Sequence, residues 1–300
     1  MTVSTAMQSD IRPLLAKTAG RYREYAPSSA LAPHFRCLWS HELLTAGPLA
    51  IVPDGYCDLL LVDGRIYVAG PDRTAAFPPI APGMHVLGAR FAPGAGANWL
   101  TVPLSEITGL SIPLRDLAPE KAVFLESRLS DCVDGAAARS LFASLLTELA
   151  RDEREAEPEA RLIFAAADSG AGRIRDLQQR LDIGERQLRR RAHHHFGYGI
   201  KTLERVRRLQ RFMALCRADK SLPLAVLALE AGFSDQAHMT REIADLTTLT
   251  PAAMHNQLIG NCPAADRFVQ DARNGPASLA QNNGQTDDHN ARPYRSHLDR

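Results

Sequence analysis

The chain of 300 residues is 45% apolar and 23% charged, with 35 Lys and Arg against 34 Asp and Glu, the composition of an ordinary globular protein with room for two domains. No run approaches the roughly 18 apolar residues of a membrane span, and no basic segment leads into an apolar one at the start. The expectation is a protein that is neither secreted nor membrane-spanning and works in the cytoplasm.

Residues 1–20 lack periodicity and are expected to be a flexible N-terminus. Residues 21–118 have the texture of a β-rich domain. Cys57-Asp-Leu-Leu-Leu-Val62, Asp63-Gly64 and Arg65-Ile-Tyr-Val-Ala69 predict a hairpin, because Asp-Gly accepts the positive φ values of a type I′ turn. His85–Phe91 reads as another strand, followed by the loop Ala92-Pro-Gly-Ala-Gly96. Trp39 and Trp99 are expected in the core, where a large ring buries much apolar area. Asp54, Tyr56, Asp58 and Arg90 lie near strand ends, and a ligand pocket and plain turn chemistry account for them equally well.

Residues 119–159 read as a helical linker. Its helices, Pro119–Leu129 and Gly135–Arg151, carry apolar stripes suited to covering the first domain or forming a dimer seam, and a charged break at 153–159 ends it. Residues 160–260 then read as an all-α domain. Ile174, Leu177 and Leu181, and Leu188, Ala192 and Phe196, place one apolar stripe on each of two helices around Asp182-Ile183-Gly184, the pattern of a helix-turn-helix unit. A second unit follows about fifty residues later. Pro223 opens its first helix, Gly232 supplies the turn, Ser234 is the expected N-cap of a helix from Asp235 to Asp245, and Thr250 is the expected cap of a last helix. Between the units, Ile200 to Ala218 forms a spacer helix with Arg205, Arg207, Arg208 and Arg211 opposite its apolar side. At about 1.5 Å per residue it spans about 28 Å, against about 34 Å between successive major grooves on one face of B-DNA. The tail, 261–300, is rich in Asn, Gln, Asp, Arg, Gly and Pro and is expected to be disordered.

Residues 171–217 hold 13 Arg and Lys against four Asp and Glu. A lone basic helix is usually a solvated face, but here two helix-turn-helix patterns flank the charge. Arg186, Arg189, Arg190 and His193 recur at i, i+3, i+4 and i+7, a face suited to base edges, with Gln187 beside them, while Arg191 suits phosphate. His193-His194-His195 does not make a metal site, because neighbours on a helix point about 100° apart. Five cysteines, Cys37, Cys57, Cys132, Cys216 and Cys262, show no Cys-x-x-Cys and read as reduced thiols. No nucleotide-binding loop, nucleophile elbow or His-Glu-x-x-His occurs, and neither a cofactor nor a metal is expected.

Ile183–Arg191, His195–Lys201, Arg205–Arg211, Ala228–Arg241 and Leu249-Thr-Pro251 resemble the corresponding motifs of the AraC/XylS family of bacterial transcription regulators. The resemblance covers about the DNA-binding third of the chain. Departures stand at Ala192 and Met239, where the family has an aromatic, at Thr248, where it has Gly, and at Gly184, where it has a small capping residue. Val52–Leu60, Val68–Pro71 and Gly88–Gly94 resemble the small uncharacterised N-terminal domain found ahead of many such DNA-binding domains. The resemblance implies an α+β protein, a β-rich sensor-like domain followed by an all-α domain with two helix-turn-helix motifs joined by a long helix. It implies that Gln236, Ala237, Thr240 and Arg241, with His238 beside them, approach DNA. The partners it implies are double-stranded promoter DNA, with a small-molecule effector, RNA polymerase and a second copy as further candidates. The alternatives are a DNA-binding protein without an effector and a repair enzyme, for which Cys37 beside Arg36 would be the nucleophile.

Overall fold

The computed structural model describes residues 13–79, 81–130, 135–169 and 173–260. The fold is α+β. The short strands β1 (Leu14–Leu15) and β4 (Leu49–Ala50) pair in parallel. The strands β2 (Gly20–Tyr25), β3 (Phe35–Leu43), β5 (Asp58–Val62), β6 (Arg65–Ala69), β7 (His85–Phe91) and β8 (Ser111–Pro113) form one antiparallel sheet in the order β2-β3-β7-β5-β6-β8. The hairpin β5–β6 turns through Asp63 and Gly64 with φ of 47° and 74°, as the Asp-Gly pair requires.

Helices follow in chain order: α1 (Gly96–Leu100), α2 (Leu114–Leu117), α3 (Pro119–Leu129), α4 (Gly135–Ala150), α5 (Pro158–Asp168), α6 (Arg173–Leu181), α7 (Glu185–Phe196), α8 (Ile200–Ala218), α9 (Leu224–Ala231), α10 (Gln236–Thr247) and α11 (Pro251–Gly260).

One face of the sheet carries Leu38, Leu59, Leu61, Ile66, Val68 and Ala89, and these share a core with Leu125 and Leu129 of α3 and Phe142 and Leu146 of α4. Of the two uses expected for the stripes of the helices in 119–159, covering the first domain is the one seen here. An apolar sheet face needs a cover, and the stripes of α3 and α4 supply it. Glu126 of α3 accepts a hydrogen bond from the Ile66 N–H at 2.9 Å, and Lys121 pairs with Glu153 at 2.5 Å. On the opposite face the Trp39 indole lies flat over Gly88, where any Cβ would overlap the ring.

The flexible N-terminus expected over 1–20 is corrected for residues 13–20. Leu15 is buried among side chains of α8, α9, α10 and α11. Gln257 of α11 accepts from the Leu15 N–H at 2.7 Å and donates to the Pro13 carbonyl at 3.1 Å. A two-residue strand has no periodicity to read, so this docking left no trace in the sequence pattern. Residues 1–12 and the tail expected to be disordered, 261–300, lie outside the described residues.

Contacts cross the boundary expected at 159/160. Arg161 of α5 donates to the Pro33 carbonyl at 2.9 Å, Asn98 to the Glu155 carbonyl at 3.1 Å, and Gly94 sits so close to Ala160 that a side chain there would overlap it.

Candidate nucleic-acid interface

The α6–α7 turn forms because Asp182 takes a left-handed φ of 49° while Ile183 is buried beneath it, its N–H donating to the Gln178 carbonyl at 3.1 Å. Gly184 starts α7 without a side-chain cap. Leu188, Ala192 and Phe196 bury the inner face of α7 against α5 and the first half of α8. Gly197, with φ of 80°, ends the helix in the left-handed conformation.

In the second unit Gly232, φ 91°, turns the chain after α9. The cap of α10 is Asp235 rather than Ser234, and the helix starts one residue later than the sequence suggests. The Asp235 carboxylate accepts from the His238 N–H at 2.7 Å, a bond that holds this carboxyl below its ordinary range. His238 Nδ1 in turn accepts from the Ser234 N–H at 3.2 Å. The two ends of the first turn thus satisfy one another, which a carboxylate does more strongly than a hydroxyl. Met239, Ile243 and Leu246 pack inward on the second half of α8. Thr250 caps α11 through the Ala253 N–H at 3.2 Å.

Arg186, Gln187, Arg189 and Arg190 are exposed on α7, and their side chains have no hydrogen-bond or ion-pair partner among the described residues. His193 is half-buried on the same side. These residues form one wall of a cleft of 740 Å³ whose other wall is Pro103 and Ser105 of the first domain. On α10, Gln236, Ala237, Thr240 and Arg241 are exposed. The Thr240 hydroxyl is turned back onto the Gln236 carbonyl at 2.9 Å, and His238 is spent on the cap, on Phe233 and on Glu242. Of these four, Gln236 and Arg241 have polar side chains without a hydrogen-bond or ion-pair partner among the described residues.

The other basic residues have different work. Arg191 pairs with Glu159, and buried His195 with Glu157 at 3.1 Å. On α8, Arg205 and Arg208 converge on Glu242 of α10 at 3.1 and 2.7 Å. Arg207 reaches Asp168 at 2.8 Å, and Arg211 donates to the carbonyls of Asp168 and Ala231 at 2.6 and 3.1 Å. The arginines expected on the polar side of the spacer helix α8 tie the two units together. Their partners lie on helices 20 or more residues away, and no local pattern contains them.

Asp54, Tyr56, Asp58 and Arg90 also come together, but as a joint. Arg90 forks onto Asp58 with two bonds of 3.0 Å and reaches Asp54 at 2.8 Å. The Tyr56 ring lies 5.1 Å from the Arg90 guanidinium and 5.7 Å from that of Arg207, and packs on Phe164 of α5 at 5.0 Å. Arg207 and Gln210 of α8 donate to the carbonyls of Asp54 and Pro53 at 2.9 and 2.7 Å. Cys37 is buried and its thiol is pushed up to about 12 by burial, the opposite of an activated thiolate. Cys57 and Cys216 are buried free thiols as well.

Residues 177–257 match the family model described as a helix-turn-helix domain, from the middle of α6 to α11. This is an AraC-type helix-turn-helix domain. The chain carrying it is a DNA-binding transcription regulator. Residues 23–113 match a second model, a domain of unknown function (DUF6597), which spans the sheet from β2 to β8. No curated protein matches the sequence. Solved structures similar to the chain include ToxT from Vibrio cholerae O395, at 10% identity and a TM-score of 0.42, covering 81% of this chain and 100% of that one. ToxT bound to (E)-4-(8-methylnaphthalen-1-yl)but-3-enoic acid matches at 8% identity and 0.42, covering 79% and 99%. Unsaturated fatty acid-bound wild-type ToxT from strain SCE256 matches at 10% and 0.39, covering 74% and 95%. Among the described residues, no helix of this chain is long and apolar enough to cross a membrane.

Proposed function

We propose that the AraC-type domain sets α7 and α10 into two adjacent major grooves of one duplex, and that the N-terminal domain biases this binding. The observation that carries it is the division of labour among the basic residues. The arginines of α8 are tied inward, while Arg186, Arg189 and Arg190 on α7, and Gln236 and Arg241 on α10, are exposed and their side chains have no hydrogen-bond or ion-pair partner among the described residues.

Arginine forks suit guanine O6 and N7, and glutamine suits adenine N6 and N7. His193 and Ala237 flank those rows, and Thr240 and His238 act by shaping α10. Modulation enters through the N-terminal domain, which touches α7, α8 and α10; a small-molecule effector or a second copy acting on that domain would reach the recognition helices through those contacts. In this reading the protein works in the cytoplasm beside RNA polymerase and is not an enzyme, and burial pushes the Cys37 thiol away from the thiolate that a nucleophile needs.

Binding-site selection from random duplexes with the full chain tests this. The expected product is a bipartite site with its halves about one helical turn apart. Arg190→Ala relaxes one base position in one half at a cost of about 1–3 kcal/mol, and Gln236→Ala does the same in the other. Arg191→Ala leaves the selected sequence unchanged. Binding that is salt-sensitive but blind to sequence would overturn the proposal.

A further inference from the structure

The two helix-turn-helix units do not share a core. Ile163, Leu177, Leu188, Phe196 and Val206 form one apolar cluster on the first half of α8. Leu209, Phe212, Leu227, Met239 and Ile243 form another on its second half. With α8 as the main connection, the twist and separation of α7 and α10 would follow every bend of one helix.

A second connection runs through the N-terminal domain. The loop after β6 touches both units. Pro71 closes on Gly197, the residue that ends α7, so that a Cβ there would stand 2.7 Å from the proline Cγ. Four residues on, the Ala75 N–H donates to the Leu246 carbonyl at 2.7 Å. Leu246 lies in the last turn of α10, where helix carbonyls have no partner within the helix.

The turn Pro103–Thr108 completes this contact. The Thr108 hydroxyl lies 2.9 Å from the Leu104 carbonyl and 3.0 Å from the Gly197 carbonyl. Gly109 N–H donates to the Pro71 carbonyl at 3.1 Å, which joins turn and loop. Both are anchored in the first domain: Ala76 exchanges two bonds of 2.9 Å with Ile51, and Gly70 N–H donates to the Leu110 carbonyl at 2.9 Å.

We infer that the loop 71–76 and the turn 103–109 form a splint that fixes α7 relative to α10, and that the N-terminal domain thereby determines which half-site spacing the protein accepts. The inference rests on the two-groove proposal above. Each inserted base pair displaces one half-site by about 3.4 Å and turns it by about 35°, a change that two rigidly held helices cannot follow and two helices on a bending rod can.

The test uses the full chain and duplexes carrying both selected half-sites at spacings stepped by one base pair, with isolated half-sites alongside. Thr108→Val removes the hydroxyl at nearly constant shape, Ala75→Pro removes the donor, and Thr108→Ser keeps the hydroxyl. Wild type and Thr108→Ser are expected to prefer one spacing, losing at least about tenfold per base pair inserted or removed. Thr108→Val is expected to halve the logarithm of that penalty, and the double variant to bring it below about threefold, with isolated half-site affinities unchanged. A Thr108→Val protein that keeps the wild-type spacing profile overturns the splint and leaves the two-groove proposal standing. A wild type that gains nothing from a second half-site overturns the two-groove proposal, and the splint falls with it.

Discussion

Replacing Glu242 with Ala should loosen α10 from α8 and cost both stability and one half of the DNA site. Glu242 is the single carboxylate shared by Arg205 and Arg208, at 3.1 and 2.7 Å, and its side chain is 13% exposed. Arg208 is 18% exposed and Arg205 36%, so the cluster lies between two regimes. Exposed pairs contribute about 0.2–1 kcal/mol, whereas removing one partner of a fully buried pair costs about 3–5 kcal/mol. The Arg208 pair falls nearer the second and the Arg205 pair nearer the first, which places the loss at about 2–3 kcal/mol. For a cooperative unit of this size that lowers Tm by roughly 5–10 °C. Glu242→Gln keeps an acceptor and the shape of the side chain, and should lose about half as much. Thermal unfolding by circular dichroism gives the first number, and binding to isolated half-sites gives the consequence: weaker binding at the half read by α10 and unchanged binding at the half read by α7. A fall in Tm of less than about 1 °C with the α10 half-site intact would refute the idea that this carboxylate holds the second unit.

Gly88→Ala is expected to destabilise the sheet by about 3 kcal/mol, because the new methyl overlaps the Trp39 ring and a packed core accommodates added volume poorly; tryptophan emission shifting to the red before any loss of helix would report it, and an unchanged denaturation midpoint would contradict it. Asp72 should make stability fall with rising pH. Burial, with Asp54 and then Asp58 nearby, pushes its carboxyl from 3.8 up to about 7, so across that window the folded chain keeps a proton that the unfolded chain has released, and the stability present below the window is lost by its upper end. Asp72→Asn should therefore gain on the wild type in urea midpoint between pH 5 and pH 8, and an equal difference at both would count against the assignment.

What the sequence by itself determined were the features written in short windows. Asp63-Gly64 specified the hairpin because only residues that tolerate positive φ close a type I′ turn. The stripes at Leu177 and Leu188 around Asp182 to Gly184, and the opening Pro223 and turn residue Gly232 of the second unit, specified two helix-turn-helix units, since period and turn chemistry lie within about twenty residues of one another. The outward row of α7 was legible for the same reason.

The tertiary structure decided which charges were free. Arg190 and Arg191 are adjacent in one run, yet one is open and the other meets Glu159. Arg205 and Arg208 read only as the polar side of the spacer helix until Glu242 arrives from a helix more than thirty residues away. The same holds for Asp54 and Tyr56, which become a joint only once α8 lies against them, and for α3 and α4, whose apolar stripes do not say what they cover. Leu15 makes the point most sharply: nothing around it is periodic, and its place beside α11 depends on Gln257. Local conformation follows from neighbours along the chain, but the partner of a charge or an apolar face is set by where distant elements pack.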